Sequence, residues 1–396
     1  MIMIVQSKRA KEIDAYIEKH RKSCLRGKQK VEISGKIEFL ETYMLPLSLL
    51  QYNHNNGRFN LEIKEYENQI GRILDPTDKD DIKKIKELLL QDEIEAKKLK
   101  FDLEQLGEQR EVAAITFDGV VVNGNRRMAT FEELHIKYPA KWNDLWVVRL
   151  PEDISEKDLW RIEAGLQLSK EKVADYGPVN NLLMIKEGEK AGLSHAEIAS
   201  SMYGWSEAQV KIDLERLDLI DTFLQFFGQK ENYGLIKKFR LSEHFIDIQK
   251  YLVQKLKDAG VPKKNIIKKL EIVFLFLRAN IMKPDFISVT HYDVRNICKI
   301  LQDTKATDAL VESFDQHKDI KQIPVDILAD NLDKAIDVKK NREDEMKPGK
   351  LIDRAISALN GIDRKGKHFK NDPDVKIKLG SLEKLVSQMK TDLGLK

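Results

Sequence analysis

The residues best suited to chemistry stand together at Gly124-Asn125-Arg126-Arg127. A strand that passes through glycine into a helix presents free backbone N–H groups at the helix start. Those groups and the helix dipole favour an anion. Gly124 permits a sharp turn and the close approach of a ligand. Arg126 and Arg127 add two permanent cations whose planar forks suit phosphate oxygens, and Asn125 adds an uncharged amide. The order of these parts predicts a phosphate site. The competing reading is a surface turn whose arginines make ordinary salt bridges.

The elements that must position these residues can be read on either side of them. Ala113 to Phe117 reads as a strand, Asp118-Gly119 as a hairpin turn, Val120 to Val122 as the return strand, and Met128 to Lys137 as a helix. Leu145 to Leu150 reads as a further strand closed by Pro151. Before the site, β-like patterning begins at Val31, and a helical segment is expected over about 65–100. The first thirty residues are rich in Lys and Arg and read as a basic arm or surface helix, either solvated or touching DNA. After Pro151 the β signals fade. Ser155 suits a helix cap, Ser194 with Glu197 makes a capping box, Gly204 marks a turn and Ser206 caps a longer helix. Short helix, glycine turn, longer helix is the helix-turn-helix pattern. Base contacts from its second helix would rest on Gln209, Lys211 and Arg216, with a purely structural helical bundle as the alternative.

A length of 396 residues exceeds one core, so the chain is divided into a 1–30 arm, a 31–151 α+β domain, a 152–227 helix-turn-helix module and a 228–396 helical domain. With 42% hydrophobic and 34% charged residues the composition is that of a globular protein, and a net charge of +3 confines any nucleic-acid surface to a local patch. Cys24 and Cys298 suit neither a zinc site nor a disulfide framework, and no two of the eight histidines share a metal-binding spacing. The start of the chain is too charged for a secretory signal, and the apolar run Ile272 to Leu277 is far short of a membrane span. A cytoplasmic location without a membrane partner is expected.

The run Val122 to Ala129 resembles the second box of the ParB/sulfiredoxin-like family, a strand followed by Gly-Glu-Arg-Arg and a helix. Leu45-Pro46-Leu47-Ser48 with Asn53, Asn56 and Arg58 resembles the first box, and Ile162-Glu163 with Leu166-Gln167 the third, with the helix-turn-helix following. The likeness covers about Glu41 to Asp221. It implies an α+β, ParB/sulfiredoxin-like nucleotide-binding domain with a helical insertion, followed by all-α regions. Its ligand would be a nucleoside triphosphate, CTP or ATP, with Mg²⁺. Carried over residue by residue, Arg58, Gly124, Arg126 and Arg127 would contact phosphates, Asn53, Asn125 and Gln167 would line the nucleotide site, and Glu163 would serve the metal and any catalysis. Asn125 stands where partition proteins have glutamate and Ala164 where they have asparagine, so the resemblance carries phosphate contact further than metal binding or hydrolysis. No cysteine follows Gly124, which argues against sulfiredoxin chemistry.

The leading expectation is a DNA-binding protein, homodimeric, whose grip is governed by the nucleotide. One rival is a nuclease or phosphotransferase of a mobile-element or phage-defence system, or a CTPase-like NTPase. The other is a non-catalytic adaptor for a protein partner. Leu382, Leu385, Val386 and Met389 suit a small pairing helix.

Overall fold

The computed structural model describes residues 7–53, 60–167, 177–283, 288–345, 348–366, 369 and 373–395. It opens with α1 (Lys8–Cys24), capped by the Ser7 hydroxyl, which buries Ala10, Ile13, Ile17 and Cys24 along one face. β1 (Leu25–Ile33) and β2 (Lys36–Pro46) follow as an antiparallel hairpin. It turns through Ser34 and Gly35, both at positive φ, a geometry that matches the twist of paired strands. Of the two readings of the basic start, the described residues from Ser7 onward take the helical one, and α1 packs on the sheet. Arg9 Nε donates to the Asp118 carbonyl at 2.6 Å, Arg21 pairs with Glu41 at 2.6 Å, and Asp14 pairs with Arg149.

The rest of the α+β part comprises β3 (Gln51–Tyr52), α2 (Asn60–Ile70), α3 (Lys79–Leu89), α4 (Glu93–Leu106), β4 (Ala113–Ile115), β5 (Val120–Asn123), α5 (Asn125–Lys137), β6 (Asp144–Arg149) and α6 (Glu156–Gln167). The six strands form one mixed sheet in the order β1-β2-β6-β4-β5-β3. β3 runs parallel to β5 and β4 parallel to β6, while the remaining neighbours are antiparallel. Helix α2 begins sooner than the sequence pattern suggests, and α4 ends at a left-handed Gly107, the residue that closes the helical pattern in the sequence.

Strand alternation sends Ala113 and Ile115 to one face of the sheet and Ala114 to the other. The first face packs Leu45, Val121 and Val147 against α1, against Ile85 and Leu89 of α3, and against Met128, Phe131 and Leu134 of α5. Full burial of one such side chain contributes about 1.5–3 kcal/mol. The second face is smaller, with Val122, Val148 and Leu150 covered by Leu159 and Ile162 of α6.

Beyond the sheet come α7 (Pro178–Lys190), α8 (His195–Ser201), α9 (Glu207–Phe227), α10 (Gly234–Lys238), α11 (Ser242–Ile248), α12 (Gln254–Asp258), α13 (Lys263–Met282) and α14 (His291–Ile300). The Ser194–Glu197 capping box and the Ser206 cap both form, and Gly204 takes a left-handed φ in the turn between α8 and α9. Trp160 of α6, Met184 and Ile185 of α7, Ile198 of α8 and Val210 and Leu214 of α9 share one apolar cluster. Phe223, Phe245 and Phe274 pack ring against ring and bind α9 to α11 and α13. Cys298 of α14 is fully buried, as is Cys24 almost completely, and burial pushes both thiols above their ordinary pKa.

Contacts divide the chain into Met1–Lys299 and Ile300–Lys396. The second unit holds α15 (Thr304–Leu310), α16 (Val325–Glu345), α17 (Pro348–Asn360) and α18 (Pro373–Asp392). Asn331 of α16 is buried and its amide donates to the carbonyls of Leu310 and Glu312, joining α16 to α15. α18 buries no residue and exposes Leu385, Val386 and Met389. Among the described residues, no helix is long and apolar enough to cross a membrane.

Candidate functional site at the start of α5

Gly124 joins β5 to α5 at φ 110°, and a Cβ at that position would lie 2.8 Å from the Ala113 side chain. Only glycine lets the backbone pass there without displacement. Helix α5 then starts at once, with the Met128 N–H closing its first turn on the Gly124 carbonyl at 2.8 Å. Asn125, Arg126 and Arg127 thus occupy the first turn, which begins three residues before the Met128 start that the sequence pattern indicates.

Their side chains diverge, as consecutive helix positions do. Asn125 is 2% exposed; its Nδ2 donates to the Val121 carbonyl at 2.7 Å and its Oδ1 accepts from the Asn53 N–H at 2.9 Å. Both ends of the amide are therefore occupied in tying the end of β3 to β5 and α5. Arg127 turns to the segment before β4, where it donates to the Glu111 carbonyl at 2.6 Å and to the Glu111 carboxylate at 2.8 Å. Burial draws its guanidinium pKa down, with Glu111 opposing that shift. Arg126 turns the other way, donates through Nε to the Leu89 carbonyl at 3.3 Å, and lines a cavity of about 630 Å³. The expectation of two adjacent guanidiniums gripping one anion is corrected here: helix geometry separates them, and Glu111 holds Arg127.

The cavity is lined by Leu61 and Glu62 of α2, Leu88 of α3, Arg126 of α5 and the start of α7. Gly177 caps α7 without a side-chain hydrogen bond, Pro178 follows, and no acidic residue stands in the first turn. The amides of that turn and the helix dipole favour an anion. Lys237 and Arg240 complete the cationic part of the wall, against the carboxylates of Glu62, Asp92 and Glu243. Two of those acids are already engaged. Glu62 holds Lys237 at 2.7 Å, and Asp92 caps α4 by accepting from the Glu95 N–H. Sequence reasoning missed the α7 start, Lys237 and Arg240; the Gly177-Pro178 pair, a common way to open a helix, was the one local signal.

Other expected site residues are distributed differently. Arg58 lies outside the described residues, as does the side chain of Gln167. Glu163 sits on α6 and is not part of the wall that Arg126 shares. Among the described residues, no group of three or more His, Cys, Asp or Glu side chains is disposed to hold a metal. A magnesium ion that arrives on a triphosphate takes most of its oxygen ligands from phosphate and water, so it needs no such group.

On α9, Asp213 is 5% exposed and collects donors: Trp205 Nε1 at 2.9 Å, Gln209 Nε2 at 2.7 Å and Arg216 Nη1 at 2.9 Å. Arg216 also donates to Gln249, which in turn donates to the Ile212 carbonyl. Gln209 and Arg216, expected to read bases, are thus tied inward. Lys211 is exposed and pairs with Glu207 at 2.7 Å along the helix.

Compared with known proteins, the chain matches no family model, no curated protein and no solved structure.

Proposed function

We propose that this chain is a DNA-binding protein of ParB-like type whose helix-turn-helix responds to a bound nucleoside triphosphate. The observation that carries the reading is the cavity shared by Arg126, at the first turn of α5, and the uncapped start of α7. Its volume of about 630 Å³ is in the range of small-molecule sites. Its cations and helix amides suit a phosphate tail, and Mg²⁺ would come with that tail. α7 packs directly on α8 and α9, so a ligand held between α5 and α7 bears on the helix-turn-helix. DNA contact would then begin with phosphates met by exposed lysines such as Lys211, since Gln209 and Arg216 are tied to Asp213. The exposed apolar residues of α18 suit the homodimer that paired half-sites require.

Titration calorimetry with CTP, ATP and GTP in Mg²⁺ tests the reading. Binding of at least one nucleotide, weakened about tenfold or more by Arg126→Ala, is expected. No heat at millimolar nucleotide ends it. A salt series of duplex binding with and without the nucleotide tests the coupling, which requires the affinity to change when the ligand is added.

A further inference from the structure

Arg126 lacks the neighbour that the sequence provides for it, because Arg127 is closed onto Glu111. Another guanidinium lines the same cavity from a distant part of the chain. Arg240 follows α10 at φ 52°, a left-handed conformation rare for any residue with a Cβ. The backbone around it is a helix-ending motif: the Leu241 N–H reaches back to the Ile236 carbonyl at 2.9 Å, and the Arg240 N–H to Lys237 at 3.2 Å. The left-handed position of that motif is ordinarily glycine. Here it carries a long cation, exposed, with neither a hydrogen bond nor an ion pair to any described residue. Lys237, which lines the same cavity, is engaged by Glu62, so it and Arg240 differ in availability.

We infer that Arg240 is the second phosphate-binding guanidinium of the cavity, gripping from the α10–α11 corner the same triphosphate tail that Arg126 grips from α5. This rests on the nucleotide reading above and adds a residue that none of the motif boxes contains. A strained backbone retained at a cavity wall fits a binding role better than a capping role, which glycine would fill without strain. The planar fork of Arg240 offers paired donors to phosphate oxygens. Because α11 packs on α9, a ligand held at both arginines links the sheet layer to the helices that support the helix-turn-helix.

The test compares wild type, Arg240→Gly, Arg126→Ala and Lys238→Ala by calorimetry, using whichever of CTP, ATP and GTP binds wild type most tightly, with melting curves for each. Lys238 is the control, exposed over the Phe239 ring and absent from the cavity wall. Arg240→Gly is expected to weaken binding about tenfold or more while melting no lower than wild type, since glycine suits the left-handed position. Lys238→Ala is expected to bind as wild type does. Unchanged binding by Arg240→Gly alongside lost binding by Arg126→Ala overturns the assignment of Arg240 and leaves the nucleotide reading intact. If wild type binds no nucleotide, both fall together.

Discussion

The starts of α5 and α9 make an instructive pair. Each follows a short turn, each opens with polar side chains, and each carries an arginine that sequence patterning marks for an anionic partner. At α5 the buried member, Asn125, takes up the structural work through both ends of its amide, and Arg126 is left at a cavity. At α9 the buried member is a carboxylate, and Asp213 draws Gln209 and Arg216 back onto itself. An amide satisfies backbone groups without attracting cations, whereas a buried carboxylate recruits every donor within reach. At α9 the buried carboxylate itself holds the arginine, whereas at α5 the arginines take partners from outside the motif, Glu111 for Arg127 and the Leu89 carbonyl for Arg126.

Four substitutions sharpen or break this contrast. Asn125→Ala removes the amide's bonds to the Asn53 N–H and the Val121 carbonyl, and is expected to cost about 3 kcal/mol, read as a lower urea midpoint. Asp213→Ala strands the Trp205, Gln209 and Arg216 donors and should cost about 2 kcal/mol. The released Arg216 should also strengthen duplex binding and steepen its salt dependence. A variant with unchanged stability would show that Asp213 does not organise α9. Arg127→Ala comes next, at about 1–2 kcal/mol for the loss of its bonds to Glu111, with nucleotide affinity kept within about twofold. A large loss of affinity in that variant would return Arg127 to the ligand site. Arg126→Ala should have the smallest effect on stability, below about 0.5 kcal/mol, because its bond to the Leu89 carbonyl is long at 3.3 Å. The tenfold loss of nucleotide affinity expected from the same variant is what separates the two arginines.

Much of the framework around the site was legible. The two strands about Asp118-Gly119, the helix before Lys137, the strand before Pro151 and the caps at Ser155, Ser194 and Ser206 all rest on local signals and appear, although the first strand stops at Ile115 rather than Phe117. α1 was legible as a helix from the spacing of Ile13 and Ile17, but β1 was missed because most of it is exposed and lacks apolar alternation. The site itself was half legible. Gly124 and its helix start are local features, but the choice between Arg126 and Arg127 was made by Glu111 and Leu89, which lie outside the motif. Arg240 had no local mark at all, since a left-handed φ at arginine is imposed by the way α10 ends rather than by the residue.

The seclusion of Cys24 and Cys298 has a practical consequence. Both thiols are sheltered by packing and lie in the unit that holds the cavity, so an alkylating reagent should modify neither while that unit stays closed. The natural chain then gives a silent background for a fluorophore on a cysteine engineered at the surface of α9 or α10. Any slow labelling of the native pair becomes a clock for the opening of the packed layers, and a bound nucleotide should slow it.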